Sequence, residues 1–263
     1  MTLDYLAHLR EDSARFVAVL RDAPGDAQVP SCPEWRTDDL LWHLGEVQHF
    51  WGVIVRDGML DPDAYVEPVR PVGRAALLAF FEEATATLQT ALAGADPSER
   101  RWTWSEDQTV GFIRRRQAHE ALVHRLDAEL TADLPRAAVE PALAGDGVDE
   151  ALRVMFGGCP PWATMTVDAS STVRVRATDT GGSWLVRVAS FTGTSPAGNV
   201  YDGEPTIEVA DVDEGGDAAA TVEGTAADLD CWLWGRPTIG EVERDGAEDV
   251  LAGFQEVISQ GIE

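Results

Sequence analysis

Lysine is absent from the chain, and all 20 of its basic residues are arginine. That absence removes Schiff-base chemistry, including lysine-held pyridoxal phosphate, and the phosphate-cradling lysine of a P-loop. Cysteine is scarce too. Cys32, Cys159 and Cys231 are odd in number, widely spaced and form no CxxC pair, so neither a disulfide framework nor a zinc knuckle is indicated. No apolar run approaches the ~18 residues of a membrane span. The opening MTLDYLAHLREDSARF carries acids where a secretion signal needs bases. Positive charge is the remaining shortage: acids outnumber bases 46 to 20, for a net charge of −26. Such a field repels nucleic-acid phosphates and anionic lipid headgroups. The expectation is a cytoplasmic protein that binds neither nucleic acid nor membrane. Its charge disfavours close packing of copies but leaves open a homodimer through an apolar patch, besides the monomer.

What is present is ample apolar material, 44% of 263 residues, enough for one large or two modest domains. Two textures divide the chain near residue 145, and we place domains at 1–144 and 145–263. The first half has helical periodicity. Leu6, Leu9, Phe16 and Leu20 share a face before Pro24-Gly25 ends the segment. A second helix starts at Thr37, with Asp38 and Asp39 in its first turn. A third is expected from Val72 to Ala93 and a fourth from Thr109 to Leu134. Four long helices argue for an antiparallel bundle. The second half opens with a short helix from Val148 to Phe156. Strand-like text follows at 172–177, 183–189 and 206–210, then at 221–224 and 241–244. Thr225-Ala-Ala-Asp228 reads as a capped helix start running to Trp234, and a last helix is expected from Ala247 to Ile258. Segments 194–204 and 211–218 read as loops. This half is a small α+β domain.

Only five histidines exist. Glu120 and His124 sit four apart on the fourth helix and project from one side of it. His43 lies in the apolar pattern of the second helix, where a neutral imidazole needs a hydrogen-bond partner or a metal. Two histidines and a carboxylate from facing helices supply three legs of a tetrahedral site with the fourth position open, as catalytic zinc requires. Asp127 can orient His124 from behind. On spacing alone such a pair is usually a solvated i,i+4 interaction, and a lone His43 more often a satisfied core histidine. His49 and His119 point to other faces and read as structural or exposed.

The stretch SCPEWRTDDLLWHLGEVQHFW at 31–51 resembles the amino-terminal signature of the mycothiol-dependent maleylpyruvate isomerase family, within the DinB-like bundle superfamily. RRRQAHEALVHRLDAEL at 114–130 resembles its second signature. GDGVDEAL at 145–152 and GTAADLDCWLWGR at 224–236 resemble its carboxy-terminal domain. The resemblance implies a DinB-like four-helix bundle followed by a sterol-carrier-protein-like α+β domain. It also implies a divalent metal, with zinc the first choice although the donors also suit iron, held by His43, Glu120 and His124. Mycothiol would be the thiol co-substrate, activated as thiolate by the ion. A functional arginine in the second domain is implied too, and Arg236 matches it best. For an anionic substrate the cationic candidates are Arg114, Arg115, Arg116 and Arg236. The first strand reads VRVRATD where many relatives carry an HxHCTD-like element. Cis–trans isomerisation and S-transfer are both compatible with this set. A non-catalytic metal- or ligand-binding protein and a metal-dependent hydrolase remain the alternatives.

Overall fold

The computed structural model describes residues 3–210 and 217–262 and divides into two compact units, 1–138 and 139–263. In the first, four helices carry the chain: α1 (Tyr5–Asp22), α2 (Thr37–Arg56), α3 (Arg74–Gly94) and α4 (Val110–Thr131). Local chemistry sets their starts. Asp4 accepts the backbone N–H of Ala7, and Thr109 accepts that of Phe112. Asp39 accepts the N–H of Arg36, just before α2. Each relieves a donor that the first helical turn leaves unpaired.

The most intimate pairs run parallel. Gln48 meets Thr85 and Gly52 meets Leu88, advancing together along α2 and α3. Asp12 meets Arg125 and Arg15 meets Glu129 along α1 and α4. The two pairs are antiparallel to each other: on α1 and α3, Phe16 stacks on Phe81 while Leu20 lies at Arg74. The long connection 57–73 makes this course possible. At ~3.3 Å per extended residue it can return the whole length of a ~30 Å helix. Between the pairs lies a core of Phe16, Leu20, Leu40, Leu44, Leu77 and Phe81. Glycine lets α2 and α3 approach, since a Cβ at Gly52 would lie 3.2 Å from the backbone nitrogen of Leu88.

The second unit holds a five-stranded sheet in the order β3-β2-β1-β4-β5, with β1 and β4 parallel and the other neighbours antiparallel. Its strands are β1 (Ala163–Ala177), β2 (Ser183–Thr194), β3 (Val200–Val209), β4 (Ala220–Gly224) and β5 (Glu243–Gly246). Helices α5 (Pro141–Glu150), α6 (Ala226–Leu233) and α7 (Glu248–Ile258) accompany it, and α5 runs on into a π-helical turn, Ala151–Met155. Val148, Leu152, Val175, Val222, Leu229 and Phe254 share its core.

Several expectations shift here. The first helix of this unit begins at Pro141, not Val148, so a boundary at 144/145 falls inside it. Pro141 suits the first turn because its missing N–H would be unpaired there anyway. Much of segment 194–204 is strand and not loop, the turn being confined to residues 195–199. Gly203 and Pro205 disguised it, yet β3 is an edge strand, where a missing N–H is tolerated. Strand β1 also starts earlier than expected, with a register break between Val167 and Thr172. Most of segment 211–218 lies outside the described residues. The capped start at Thr225 is as expected, its hydroxyl accepting the N–H of Asp228 at 3.2 Å.

Candidate metal centre

Helix α4 delivers Glu120, His124 and Asp127 along one stripe, because steps of four and three residues nearly close whole turns. Helix α2, crossing it antiparallel, brings His43. The nearest nitrogens and oxygen converge: Glu120 Oε1 lies 3.2 Å from His124 Nε2 and 3.4 Å from His43 Nε2. All three ligand atoms fall within 4.8 Å of one another.

This spacing can be tested against a metal. Tetrahedral ligands about 2.0–2.1 Å from zinc are ~3.3 Å apart, close to the two separations found. Two of the remaining polar atoms are engaged outside that centre. His124 Nδ1 faces Asp127 Oδ2 at 2.9 Å, which leaves Nε2 as its ligand atom. Glu120 Oε2 accepts from Arg116 at 3.0 Å, which leaves Oε1. The donor set therefore fits a divalent ion carried on single atoms of three side chains.

Behind these groups stands a buried scaffold. Asp127 is fully buried and accepts a 2.6 Å hydrogen bond from Ser31 Oγ. Ser31 belongs to the turn between α1 and α2, where Gln28 pins the carbonyls of Pro33 and Trp35. The same turn lays Trp35 against His43, ring centroids 4.6 Å apart, and near His124 at 6.1 Å. Further along α4, buried Arg125 donates to Asp12 and Glu129, each at 2.9 Å, and Arg15 also reaches Glu129.

Electrostatics follow the geometry. Burial disfavours the imidazolium of His124, but hydrogen bonds to Asp127 and Glu120, and their charges, outweigh it and push its pKa up to about 9. Burial likewise opposes ionisation of Glu120. The hydrogen bonds from His124 and His43 prevail and hold the carboxyl well below its usual range. Without an ion, the centre is thus a carboxylate–imidazolium pair, and a metal must displace the proton.

Arg236 sits in the second unit, just beyond α6, where it donates to the carbonyl of Trp234 at 2.7 Å and lies over the Trp234 ring. Arg114 caps the end of α3 through the carbonyls of Leu92 and Ala95. His49 pairs with Tyr65 at 2.9 Å, and His119 is buried beside Tyr5. None of the three cysteines is in a disulfide. Sequence reasoning missed Ser31, Trp35 and the particular duty of Arg116. Arg116 was legible in principle, standing four residues before Glu120 on one helix.

The amino-terminal domain model of the mycothiol maleylpyruvate isomerases matches residues 6–129, and the carboxy-terminal domain model of the same family matches residues 142–253. Among solved structures, a mycothiol-dependent maleylpyruvate isomerase is similar at 14% identity, with a TM-score of 0.58 over 92% of both chains. A histidine-to-alanine mutant of such an isomerase is similar to the same extent, with a TM-score of 0.59. Curated proteins contain no match to the sequence. Among the described residues, no helix is long and apolar enough to cross a membrane.

Proposed function

The chain belongs to the mycothiol-dependent maleylpyruvate isomerase family, and on that premise we propose that it is a metal-dependent enzyme using mycothiol as its thiol co-substrate. The observation that carries the reading is the convergence of His43, Glu120 and His124 on one point, each with a single ligand atom turned inward. A divalent ion held there, zinc by preference, supplies positive charge that favours the thiolate form of a thiol whose free pKa is ~8.5.

The chain's own residues prepare that centre. Asp127, itself held by Ser31, fixes the tautomer of His124 and keeps Nε2 pointing inward. Arg116 occupies the outer oxygen of Glu120 and so restricts the carboxylate to one ligand atom. Trp35 packs against the imidazole of His43 and helps fix the position of that ring. In isomerisation the sulfur lone pair forms a C–S bond to a conjugated cis alkene, and the π pair moves onto the adjoining carbonyl. Rotation about the resulting single bond, then return of that pair, expels the thiolate and leaves the trans alkene. No net proton or electron is consumed. An S-transferase would instead protonate and release the adduct. Arg236 is proposed to bind an anionic part of substrate or thiol.

The test is turnover of a conjugated cis alkene by zinc-loaded protein with and without mycothiol. Turnover that requires both, and is lost in His43→Ala, supports the proposal. Turnover that persists without any thiol contradicts it and favours attack by metal-bound water.

A further inference from the structure

A cavity of about 360 Å³ opens beside His43, between the start of α2 and the segment leading to α3. Its walls include Trp35, Trp42, Glu34, Asp39 and Glu46, with Arg70 the one cation. That cation is already engaged: Arg70 donates to Asp39 Oδ1 at 2.7 Å, while Asp39 Oδ2 takes the N–H of Arg36 at 2.8 Å. Glu34 and Glu46 add two further carboxylates, so the lining carries a net charge of about −2 on a chain that is itself strongly acidic. Two indole faces complete it, Trp35 lying on His43 and Trp42 on Phe80.

Indole faces with flanking carboxylates bind groups that offer C–H faces and N–H or O–H donors, and they repel carboxylates. A carboxylate lying along this wall, on the side away from the ion proposed at His43, would meet like charge at close range, because Arg70 is already engaged by Asp39. We propose that this cavity selects electrophiles whose flank beside the reacting carbon is hydroxylated or aminated, and that it disfavours dicarboxylates. The inference rests on the thiol-activating role given to the adjoining centre. Within that role it assigns Glu34 and Glu46 as residues that set the charge of the accepted substrate.

The experiment compares maleate, its neutral diamide and an amide bearing a trimethylammonium group. Each would be supplied with mycothiol to zinc-loaded full-length protein. Values of kcat/KM are divided by the uncatalysed thiol-addition rate, which removes intrinsic reactivity. The expected order places both amides at least about tenfold above maleate, with the gap narrowing several-fold in Glu46→Gln and Glu34→Gln and at high salt. A normalised value for maleate equal to or above the diamide overturns the inference, as does a ratio unmoved by both substitutions. Should no electrophile turn over, the functional reading fails separately. The cavity's preference is then read from ligand-observed NMR titrations with succinamide and succinate. Tighter binding of succinamide, weakened in Glu46→Gln, upholds the charge selection; tighter binding of succinate refutes it.

Discussion

Metal binding at this centre should be a proton exchange, and the structure gives its size. His124 is held protonated to about pH 9 by Asp127 and Glu120. At pH 7 an ion must therefore displace a proton held up to about pH 9, a penalty of roughly 3 kcal/mol or about 100-fold in apparent affinity. Affinity should rise about tenfold per pH unit from 7 to 9 and then level off. Calorimetry in two buffers of different ionisation enthalpy would count the protons released: about one per ion at pH 7, approaching none above pH 9. The sign for the metal-free protein is opposite. A folded pKa above the unfolded ~6.5 stabilises below pH 6.5, and that stability is lost as pH rises through 9, by about 3 kcal/mol. Affinity that is flat between pH 7.5 and 9, with no buffer-dependent heat, would refute the reasoning.

Three more outcomes are expected. Asp127→Asn should weaken zinc affinity ten- to a hundredfold in a chelator competition, with Ser31→Ala moving it the same way by less; unchanged affinity in both would remove their orienting role. Arg125→Ala leaves the buried Glu129 carboxylate without its main partner and should cost about 3–5 kcal/mol by urea unfolding, a loss under ~1 kcal/mol contradicting the network. Gly52→Val should destabilise by about 1–3 kcal/mol, because its side chain meets the backbone of Leu88, whereas Gly94→Ala faces open space and should be neutral or slightly stabilising in the same assay.

The parts of this molecule that obey a strong periodicity were readable from the chain alone. Thr37, Asp38 and Asp39 announced α2, and Thr225 announced α6, because capping chemistry is local. The spacing of Glu120, His124 and Asp127 placed three site groups on one stripe for the same reason. Apart from the convergence of His43 with Glu120 and His124, the sequence displayed little that is set by two distant segments meeting. Ser31 reaches Asp127 only because the turn after α1 folds onto α4. The parallel pairing of α2 with α3 depends on how the connection 57–73 runs, and that carries no periodic mark. Strand β3 was hidden by Gly203 and Pro205, which look like turn residues until the strand is known to lie at an edge. Arg236 was offered by a motif alone, and in the structure it donates to the carbonyl of Trp234 just beyond α6.

The central claim is that His43, Glu120 and His124 together hold an ion that activates a thiol. Elemental analysis of the protein beside His43→Ala and Glu120→Ala, followed by titration of each with mycothiol while proton release is recorded, tests it most directly. The account predicts one ion per chain in the parent, its loss in both variants, and metal-dependent release of the thiol proton. Failure to bind any divalent ion after reconstitution, or mycothiol binding with no proton release in the loaded protein, would contradict it.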